Sequence, residues 1–364
     1  MNLNCGLVGM PVVGKTTVFN LLTGAGAETS GFLTGKTDTN VGTAVVPDRR
    51  VDYLSALYRP KKTSHARIRF SDLPGLVRGS SQGEGLGNRF LDAVRNVDLL
   101  VHVVRAFKDP EVPHVDGSVD PVRDVETIGT ELLFADMEFL EKRIERIKSG
   151  KKIKKENLAE LELMEKCLEA LGNEINMSRV DLSGEERHSL KNYNFLTGKP
   201  LMVVVNTDEE QFKAKTYPGK DELTEYTASR GLPVLEICGN MELEISRLGA
   251  ADRALFLDDL GTDRAGIDRL ARAAYDYLKL ISFFTVGDDE VKAWTILDGT
   301  GARKAAGKIH SDMERGFIKA EVVKYPDLEA LGSMTRVKEK GLFRLEGRDY
   351  IVKDGDIINF RFNV

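Results

Sequence analysis

Short apolar runs of a length typical of buried strands recur along the first two-thirds of the chain. Segments with helical spacing lie between them, for example at residues 15–23 and 85–96. An alternation of buried strands and helices predicts a parallel sheet that helices cover on both faces. The predicted strands are residues 3–8, 67–73, 99–105, 201–206 and 234–238.

A different pattern occupies residues 129–172. Apolar side chains recur there at spacings of three and four, which places them along one side of each of two long helices. Residues 149–152, with the sequence SGKK, predict a turn between the helices. We therefore expect an antiparallel, coiled-coil helical hairpin inserted into the α/β domain. Its apolar positions are Leu133, Met137, Leu140, Ile144, Ile147, Leu161, Met164, Leu168 and Leu171.

Short strands and glycine turns characterise the chain after about residue 280. Residues 353–356, with the sequence KDGD, are a strong turn signal between two such strands. The sequence thus predicts three parts. They are an α/β domain of residues 1–125 and 196–280, a helical hairpin of residues 126–195, and a small β-rich domain of residues 281–364.

Composition excludes several classes of protein. The 41% of hydrophobic and 30% of charged residues are typical of a folded globular chain. A net charge of −5 disfavours a protein that coats nucleic acid with its whole surface. Three widely spaced cysteines suit a reducing cytosol, and no apolar run approaches the roughly 20 residues of a membrane span. We expect a cytoplasmic monomer with no membrane contact, and the N-terminal residues do not resemble a signal peptide.

The predicted turn of the hairpin is strongly basic. Residues 142–155 contain eight lysines and arginines and one glutamate. The patch is either a solvated hairpin tip or a contact for RNA phosphates, and the sign and density of charge favour the second interpretation.

Residues 9–16 read GMPVVGKT and fit the phosphate-binding P-loop pattern G-x-x-x-x-G-K-[ST]. The loop follows a predicted strand and opens a helix, where backbone N–H groups and the helix dipole attract phosphate. Lys15 would bridge the β- and γ-phosphates, and the Thr16 hydroxyl would bind magnesium. The predicted nucleotide-binding positions in this segment are Gly9, Val12, Val13, Gly14, Lys15, Thr16 and Thr17.

Residues 72–75 read DLPG at the end of the predicted strand 67–73. A β-turn uses the same residue types. Because a P-loop precedes this segment on the same sheet, we interpret the pattern as placing the Asp72 carboxylate near the metal and the Gly75 N–H near the γ-phosphate. We predict Asp72 as a magnesium ligand, and Lys15 and Gly75 as catalytic residues.

Residues 206–209 read NTDE after the predicted strand 201–206. GTPases use Asn-Lys-x-Asp at this place, and the Asp accepts two hydrogen bonds from guanine. Here Thr207 replaces the lysine and Glu209 takes the last position, so the guanine-selective carboxylate is displaced or lost. With Asn206, these residues predict a base site that prefers ATP to GTP. Cys238 and Gly239 lie at the next strand end, where a base-stacking loop is expected.

Further motifs extend along the whole chain. They include residues 4–9 (NCGLVG), 72–77 (DLPGLV), 83–88 (GEGLGN), 114–121 (HVDGSVDP), 206–209, 291–296 (VKAWTI), 306–310 (AGKIH), 316–318 (GFI) and 360–364 (FRFNV). On these residues the sequence resembles the YchF/Obg-like ATPase family of Obg-related translation-factor NTPases. The resemblance implies a P-loop domain, a coiled-coil insertion, a C-terminal TGS (ubiquitin-like) domain and the ribosome as partner.

Three positions that are departures or peculiarities bear on the chemistry, the first of them shared with the family that the chain resembles. Leu76 stands where Ras-like enzymes carry a water-orienting Gln. The resemblance assigns that role to a loop histidine, here His114, whose alternative is an ordinary solvated loop residue. Val12 replaces an Asn associated with potassium binding and offers no oxygen, which argues against potassium activation. Lys36 stands where a threonine should bind magnesium, although a one-residue slip would supply Thr37. His102, on an apolar strand, is expected to be a satisfied core residue.

The sequence therefore predicts a nucleotide-dependent switch that binds and slowly hydrolyses ATP, with Mg²⁺ as cofactor. Its output would be binding to the ribosome or another RNA-containing partner through the hairpin and the TGS domain. The alternatives are a GTPase of ordinary Obg type, and an RNA-binding adaptor that binds nucleotide with weak catalysis.

Overall fold

The computed structural model describes residues 3–26, 39–75, 86–150 and 155–363, and of residues 86–88, 155–157 and 250 only the backbone. The chain divides into two compact units. The first consists of Met1–Gly42 and Arg69–Ile267, the second of Thr43–Ile68 and Asp268–Val364. Several positions singled out in the sequence lie outside the described residues: Lys36, Thr37, Leu76, Lys151, Lys152 and Lys154.

These units group the chain differently from the boundaries predicted from the sequence. The sequence pattern assigns residues 43–68 to the α/β domain, but they belong to the second unit, which resumes at Asp268 rather than at residue 281. The segment pairs with a strand far away in the chain, Lys62 with Glu290, so no local pattern reveals the grouping. The limits 126–195 of the hairpin stay a prediction.

Two six-stranded sheets organise the described residues. Their strands, numbered along the chain, are β1 (Asn4–Val8), β2 (Asn40–Val46), β3 (Lys62–Ser64), β4 (Ala66–Asp72), β5 (Leu99–Arg105), β6 (Leu201–Asn206), β7 (Val234–Ile237), β8 (Leu280–Thr285), β9 (Glu290–Leu297), β10 (Phe317–Lys324), β11 (Arg344–Glu346) and β12 (Asp356–Phe362).

Helices fill most of the remaining described chain, with a short 3-10 helix at Met177–Arg179. None of those in the described ranges combines the length and apolar character needed to cross a membrane. They are α1 (Lys15–Thr23), α2 (Arg49–Tyr58), α3 (Leu86–Arg95), α4 (Pro121–Lys148), α5 (Lys155–Gly172), α6 (Gly184–Leu190), α7 (Glu209–Ala214), α8 (Lys220–Arg230), α9 (Gly239–Arg247), α10 (Ala250–Asp259), α11 (Gly266–Tyr277), α12 (Ala302–Ile309), α13 (Ser311–Arg315), α14 (Tyr325–Leu331) and α15 (Met334–Glu339).

The first sheet has the strand order β2-β4-β1-β5-β6-β7. Strand β1 pairs in parallel with β4 and β5, and β6 pairs in parallel with β5 and β7. The predicted parallel sheet is therefore confirmed. In this register Leu7 of β1 lies beside Asp72 of β4, so the loops after both strands emerge at the same edge of the sheet.

Burial of β5 shows why this strand is central. All its residues are buried, as expected where helices cover both faces. Leu100 shares an apolar cluster with Ile128 and Leu132 of α4, and Val104 shares another with Leu223 of α8.

The prediction that His102 is a satisfied core residue is wrong in one respect. The residue is fully buried, but both ring nitrogens lack a hydrogen-bond partner in the described part of the chain.

Helices α4 and α5 form the predicted hairpin. Helix α4 begins earlier than its apolar pattern indicates, at Pro121, because the Asp120 side chain accepts a hydrogen bond from the N–H of Arg123 and caps it. All the predicted apolar positions of both helices except Ile147 share one cluster, with Leu140, Ile144 and Met164 among its buried members.

The second sheet has the order β11-β10-β12-β8-β9-β3 and confirms a β-rich C-terminal part. Its pairs are antiparallel except for β12 with β8 and β3 with β9. Residues 43–68 are bound to this sheet through Arg50, whose guanidinium donates to Asp48 at 2.7 Å and to Asp354 at 2.7 Å. Asp354 in turn accepts the N–H of Ser282 at 2.9 Å.

Candidate functional site

The predicted P-loop connects β1 to α1 and has an unusual backbone. Gly14 has φ of +91° and caps α1 without a side chain, which leaves the first N–H groups of the helix facing the loop. A Cβ on Gly14 would lie 2.4 Å from Nδ2 of Asn206, and one on Gly9 would lie 2.5 Å from the carbonyl oxygen of Val103. Both positions therefore require glycine for reasons of space, and Gly14 also for its backbone angle.

Val12 adopts φ of +57°, in the left-handed region. For a β-branched residue this is a strained conformation, which asparagine tolerates better. The P-loop thus contains one residue whose side chain disfavours the backbone conformation that it adopts.

Lys15, Thr16 and Asp72 meet at the mouth of the loop. The ammonium of Lys15 donates to Oδ1 of Asp72, and also to the carbonyl oxygen of Leu73 at 2.5 Å. The hydroxyl of Thr16 donates to Oδ2 of Asp72 at 2.9 Å. The contacts arise because β1 and β4 are parallel neighbours, so their ends deliver the loop and the carboxylate to one place. A hydroxyl and a carboxylate side by side are oxygen donors of the kind that Mg²⁺ prefers.

Gly75 also lies at this end of the site. A Cβ on it would be 3.5 Å from Cγ of Pro11 and 3.8 Å from the carbonyl oxygen of Gly9. The structure thus brings the glycine of the DLPG segment beside the P-loop. Thr37, the third predicted magnesium ligand, lies outside the described residues.

Asn206 connects the P-loop to the predicted base site. It is buried at the end of β6, and its Nδ2 donates to the carbonyl oxygen of Val13 at 3.1 Å. Its Oδ1 accepts the N–H of Gly239 at 3.0 Å. One amide thus holds together three loops that follow β1, β6 and β7.

The other predicted base residues are placed less favourably. Thr207 is buried, and its hydroxyl donates to the carbonyl oxygen of Ile237 at 3.0 Å. Glu209 begins α7 with its side chain 48% exposed, 3.8 Å from Lys213. Cys238 is buried, and burial raises the pKa of its thiol. The structure therefore gathers Asn206, Cys238 and Gly239 near the loop, whereas Glu209 faces the surface of its helix.

His114 lies in the segment before α4 and is buried. Its Nε2 is 2.9 Å from Oδ2 of Asp124, and its Nδ1 accepts the N–H of Asp116 at 3.2 Å. Nη2 of Arg123 lies 3.0 Å from Oδ1 of Asp124. Desolvation raises the pKa of the Asp124 carboxyl, against the opposing effects of His114 and Arg123. The interpretation of His114 as a solvated loop residue is wrong.

His114, Asp116 and Asp124 bring potential metal-ligating atoms within 4.8 Å of one another. The guanidinium of Arg123 already lies among them, 3.5 Å from Oδ2 of Asp116. Since this cation pairs with both Asp116 and Asp124, the three charged side chains form an ion-paired cluster around His114.

Sequence reasoning missed Asp124 and Arg105. Arg105 ends β5 fully buried, and it donates to the carbonyl oxygens of Phe107, Asp109 and Val112 at 3.0, 3.3 and 2.8 Å. Burial lowers the pKa of its guanidinium, partly offset by Asp109. An arginine at the end of an otherwise apolar strand is the signal that could have found it. It fixes the segment that leads to His114.

Two family models match the chain. The model for the C-terminal domain of YchF GTPases, described as a protein of unknown function, matches residues 280–363. The model of the 50S ribosome-binding GTPase matches residues 4–138.

Relatives and solved structures extend the similarity to the full length. The proteins named ribosome-binding ATPase YchF from Bacillus subtilis and Escherichia coli O157:H7 are 45% and 42% identical, with 100% of each chain covered. The structure of the Schizosaccharomyces pombe YchF GTPase has a TM-score of 0.86 and 32% identity, covering 99% of this chain and 98% of that one. Because identity above 40% spans these two bacterial relatives from end to end, the chain belongs to the YchF family.

Proposed function

We propose that the chain is a nucleotide-dependent switch that binds ATP, hydrolyses it slowly and associates with the ribosome. The convergence of Lys15, Thr16 and Asp72 at the P-loop carries the proposal. The names of the bacterial relatives, ribosome-binding ATPases, support both the substrate and the partner.

Hydrolysis would depend on positioning and charge neutralisation rather than on a covalent intermediate. Backbone N–H groups at the start of α1 donate to phosphate oxygens. Lys15 exchanges its contact with Asp72 for the β- and γ-phosphates, and Gly75 presents its N–H to the γ-phosphate.

Thr16 and Asp72 would hold the magnesium ion, and Thr37 would be its third protein ligand. Bound there, the ion neutralises charge that develops on the phosphate oxygens. Potassium activation is not expected, because Val12 has no oxygen to offer a second cation.

His114 would take the role that a glutamine has in Ras-like enzymes and orient the attacking water. Its segment follows β5, the strand beside the P-loop strand β1, and reaches α4 through a turn closed by Gly117 N–H donating to the His114 carbonyl oxygen at 2.9 Å. Movement of this turn would expose the ring to the attacking water.

ATP is the proposed substrate because the base site lacks the Asn-Lys-x-Asp pattern. Thr207 is engaged with the backbone, and Glu209 replaces the guanine-binding Asp. Asn206, Cys238 and Gly239 would line the base. The Schizosaccharomyces pombe relative of known structure is called a YchF GTPase, and that name favours GTP hydrolysis as a second candidate activity.

The ribosome is the proposed partner, and the hairpin and C-terminal sheet are the proposed contacts, in a cytoplasmic monomer. Alanine at Lys151, Lys152, Lys154 and Lys155 should weaken ribosome binding and flatten its salt dependence, since fewer counterions are released. ATP affinity should not change. A control with alanine at Lys108, Lys215, Arg230 and Arg247, all exposed, removes the same charge elsewhere. An unchanged salt slope in the hairpin variant would show that the patch is only solvated.

Single-turnover hydrolysis at saturating ATP, with and without ribosomes, tests the proposed activity. We expect a slow intrinsic rate that falls about a hundredfold in His114→Ala, whereas ATP affinity stays within about twofold, because the ring acts in the transition state. Equal rates in both proteins would reject the proposed role of His114. If the wild type does not hydrolyse ATP, the chain binds nucleotide but is not an enzyme.

A further inference from the structure

We infer that Asp124 is the positioning residue of His114, which fixes the imidazole in one tautomer and leaves Nδ1 as the nitrogen that meets water. The inference rests on the proposed role of His114 in hydrolysis. It adds that the Asp124 carboxylate orients the ring for that role.

The hydrogen bonds of His114 locate its ring proton. The backbone N–H of Asp116, 3.2 Å from Nδ1, can only donate, so Nδ1 carries the lone pair. In the neutral ring the proton is then on Nε2. Nε2 lies 2.9 Å from Oδ2 of Asp124 and donates to it.

Burial strengthens this pair. The side chains of His114 and Asp124 are only 2% and 1% exposed, and a charge-assisted bond is stronger in such surroundings than at the surface. Arg123 occupies the other carboxylate oxygen, Oδ1, through Nε at 3.3 Å and Nη2 at 3.0 Å. Oδ2 is therefore directed to the histidine, and the orientation of the carboxylate is fixed from two sides.

The two nitrogens of the ring meet different parts of the protein. Nε2 faces a carboxylate on α4, a long helix of the core. Nδ1 accepts the N–H of Asp116 in the turn after His114, and Nη2 of Arg123, which precedes Asp124 on α4, lies 3.5 Å from it. Because the N–H that Nδ1 accepts belongs to the turn and the oxygen that Nε2 meets belongs to the helix, a shift of Asp116 would free Nδ1 from its backbone donor and leave the bond to Asp124 intact. The freed nitrogen is already the unprotonated one that a water molecule can donate to.

Asp136 supplies a matched control on the same helix. It is also a buried carboxylate whose pKa is raised by desolvation, and it accepts the N–H groups of Leu196 and Thr197 at 2.9 and 2.8 Å. It lies twelve residues further along α4, about 18 Å along the helix axis. Asp136→Asn should therefore destabilise the fold without affecting His114.

The test compares Asp124→Asn, Asp136→Asn, His114→Ala and the Asp124→Asn/His114→Ala double variant. Single-turnover rates and the KM for ATP are measured, and ¹⁵N NMR of the imidazoles reports the tautomer, with the His114 signal assigned by its loss in His114→Ala. We expect Asp124→Asn to reduce the Nε2–H tautomer and lower kcat about tenfold to a hundredfold, with KM unchanged. In the double variant, Asp124→Asn should cause no further loss.

Each other result overturns the inference. If Asp124→Asn lowers kcat equally in the His114→Ala background, Asp124 acts on the fold and not through the ring, while the role of His114 stands. An unchanged tautomer in Asp124→Asn would show that the N–H of Asp116 alone sets the ring proton, and would overturn the inference as well. If His114→Ala itself keeps the wild-type rate, the proposed role of His114 fails and the positioning role fails with it. Should Asp124→Asn not fold, Asp124→Glu displaces the carboxylate by one methylene and is compared in the same two backgrounds.

Discussion

The phosphate end and the base end of the site are built from different kinds of contact. At the phosphate end, the charged and polar side chains of Lys15, Thr16 and Asp72 converge on one point. At the base end, Thr207 is bound to the backbone and Glu209 is half exposed. Asn206 joins the two ends through Val13 and Gly239.

The difference indicates where nucleotide affinity and nucleotide choice arise. Charge-assisted hydrogen bonds to phosphate are stronger than neutral contacts to a base edge, so the phosphate end should supply most of the affinity. The base end makes fewer directed contacts, and its preference for ATP should be a matter of about tenfold rather than many decades.

Lys15→Ala should have the largest effect. No other lysine or arginine stands within the P-loop segment 9–16, so the phosphates lose their only charged donor from the loop itself. ATP affinity should fall about a hundredfold, about 3 kcal/mol, by calorimetry. Lys61→Ala, which removes a lysine that is 82% exposed, is the control. Equal ATP affinity in the wild type and Lys15→Ala would show that the phosphates bind elsewhere.

A substitution at His102 tests strand β5, which lies between β1 at the phosphate end and β6 at the base end of the site. Burial lowers the pKa of His102 to about 3, so between pH 6.5 and 3 the unfolded chain binds more protons than the folded one. The free energy of unfolding is therefore unaffected by His102 protonation above pH 6.5 and decreases as the pH falls below that value. Between pH 7.5 and pH 5 the wild type should lose about 2 kcal/mol more than His102→Leu in urea unfolding. Parallel losses in both proteins would contradict the burial of an unpartnered imidazole.

The double substitution Thr207→Lys with Glu209→Asp should change the preference of the base end. It restores the Asn-Lys-x-Asp pattern, and a well-placed pair discriminates between base edges by about 1–3 kcal/mol. The ratio of ATP to GTP affinity should shift about tenfold towards GTP, with the phosphate contacts intact. Asp208→Asn, on the residue between them, is a control that disturbs the cap of α7 alone. A ratio that does not move would mean that these positions do not contact the base.

Val12→Asn should have the smallest effect. Asparagine tolerates the φ of +57° that strains valine, so the variant should be more stable by about 1 kcal/mol. Thermal unfolding measures the gain, and Val12→Ile, which keeps the β-branch, should show none. A destabilised Val12→Asn would mean that the apolar contacts of the valine outweigh its backbone strain.

Local sequence rules predicted the phosphate end well because its parts are short and contiguous. The P-loop, the DLPG segment and the ends of β1 and β4 each follow from spacing over a few residues. Residues 43–68 could not be placed in the second unit, because Arg50 and Lys62 find their partners Asp354 and Glu290 at the other end of the chain. Asp124 was missed for a related reason. On α4 it reads as one more acidic residue in a first turn, and only the fold brings His114 to it.

Competition between ATP and GTP for the wild-type protein measures directly which base the site prefers. With Mg²⁺ present, a fluorescent nucleotide is displaced by each triphosphate, and by ADP and GDP to separate the base from the phosphates. ATP should displace the probe at about tenfold lower concentration than GTP, and the same ratio should hold for ADP and GDP. A tenfold preference for GTP would contradict the base site derived from Thr207 and Glu209 and would make the chain a guanine-specific switch.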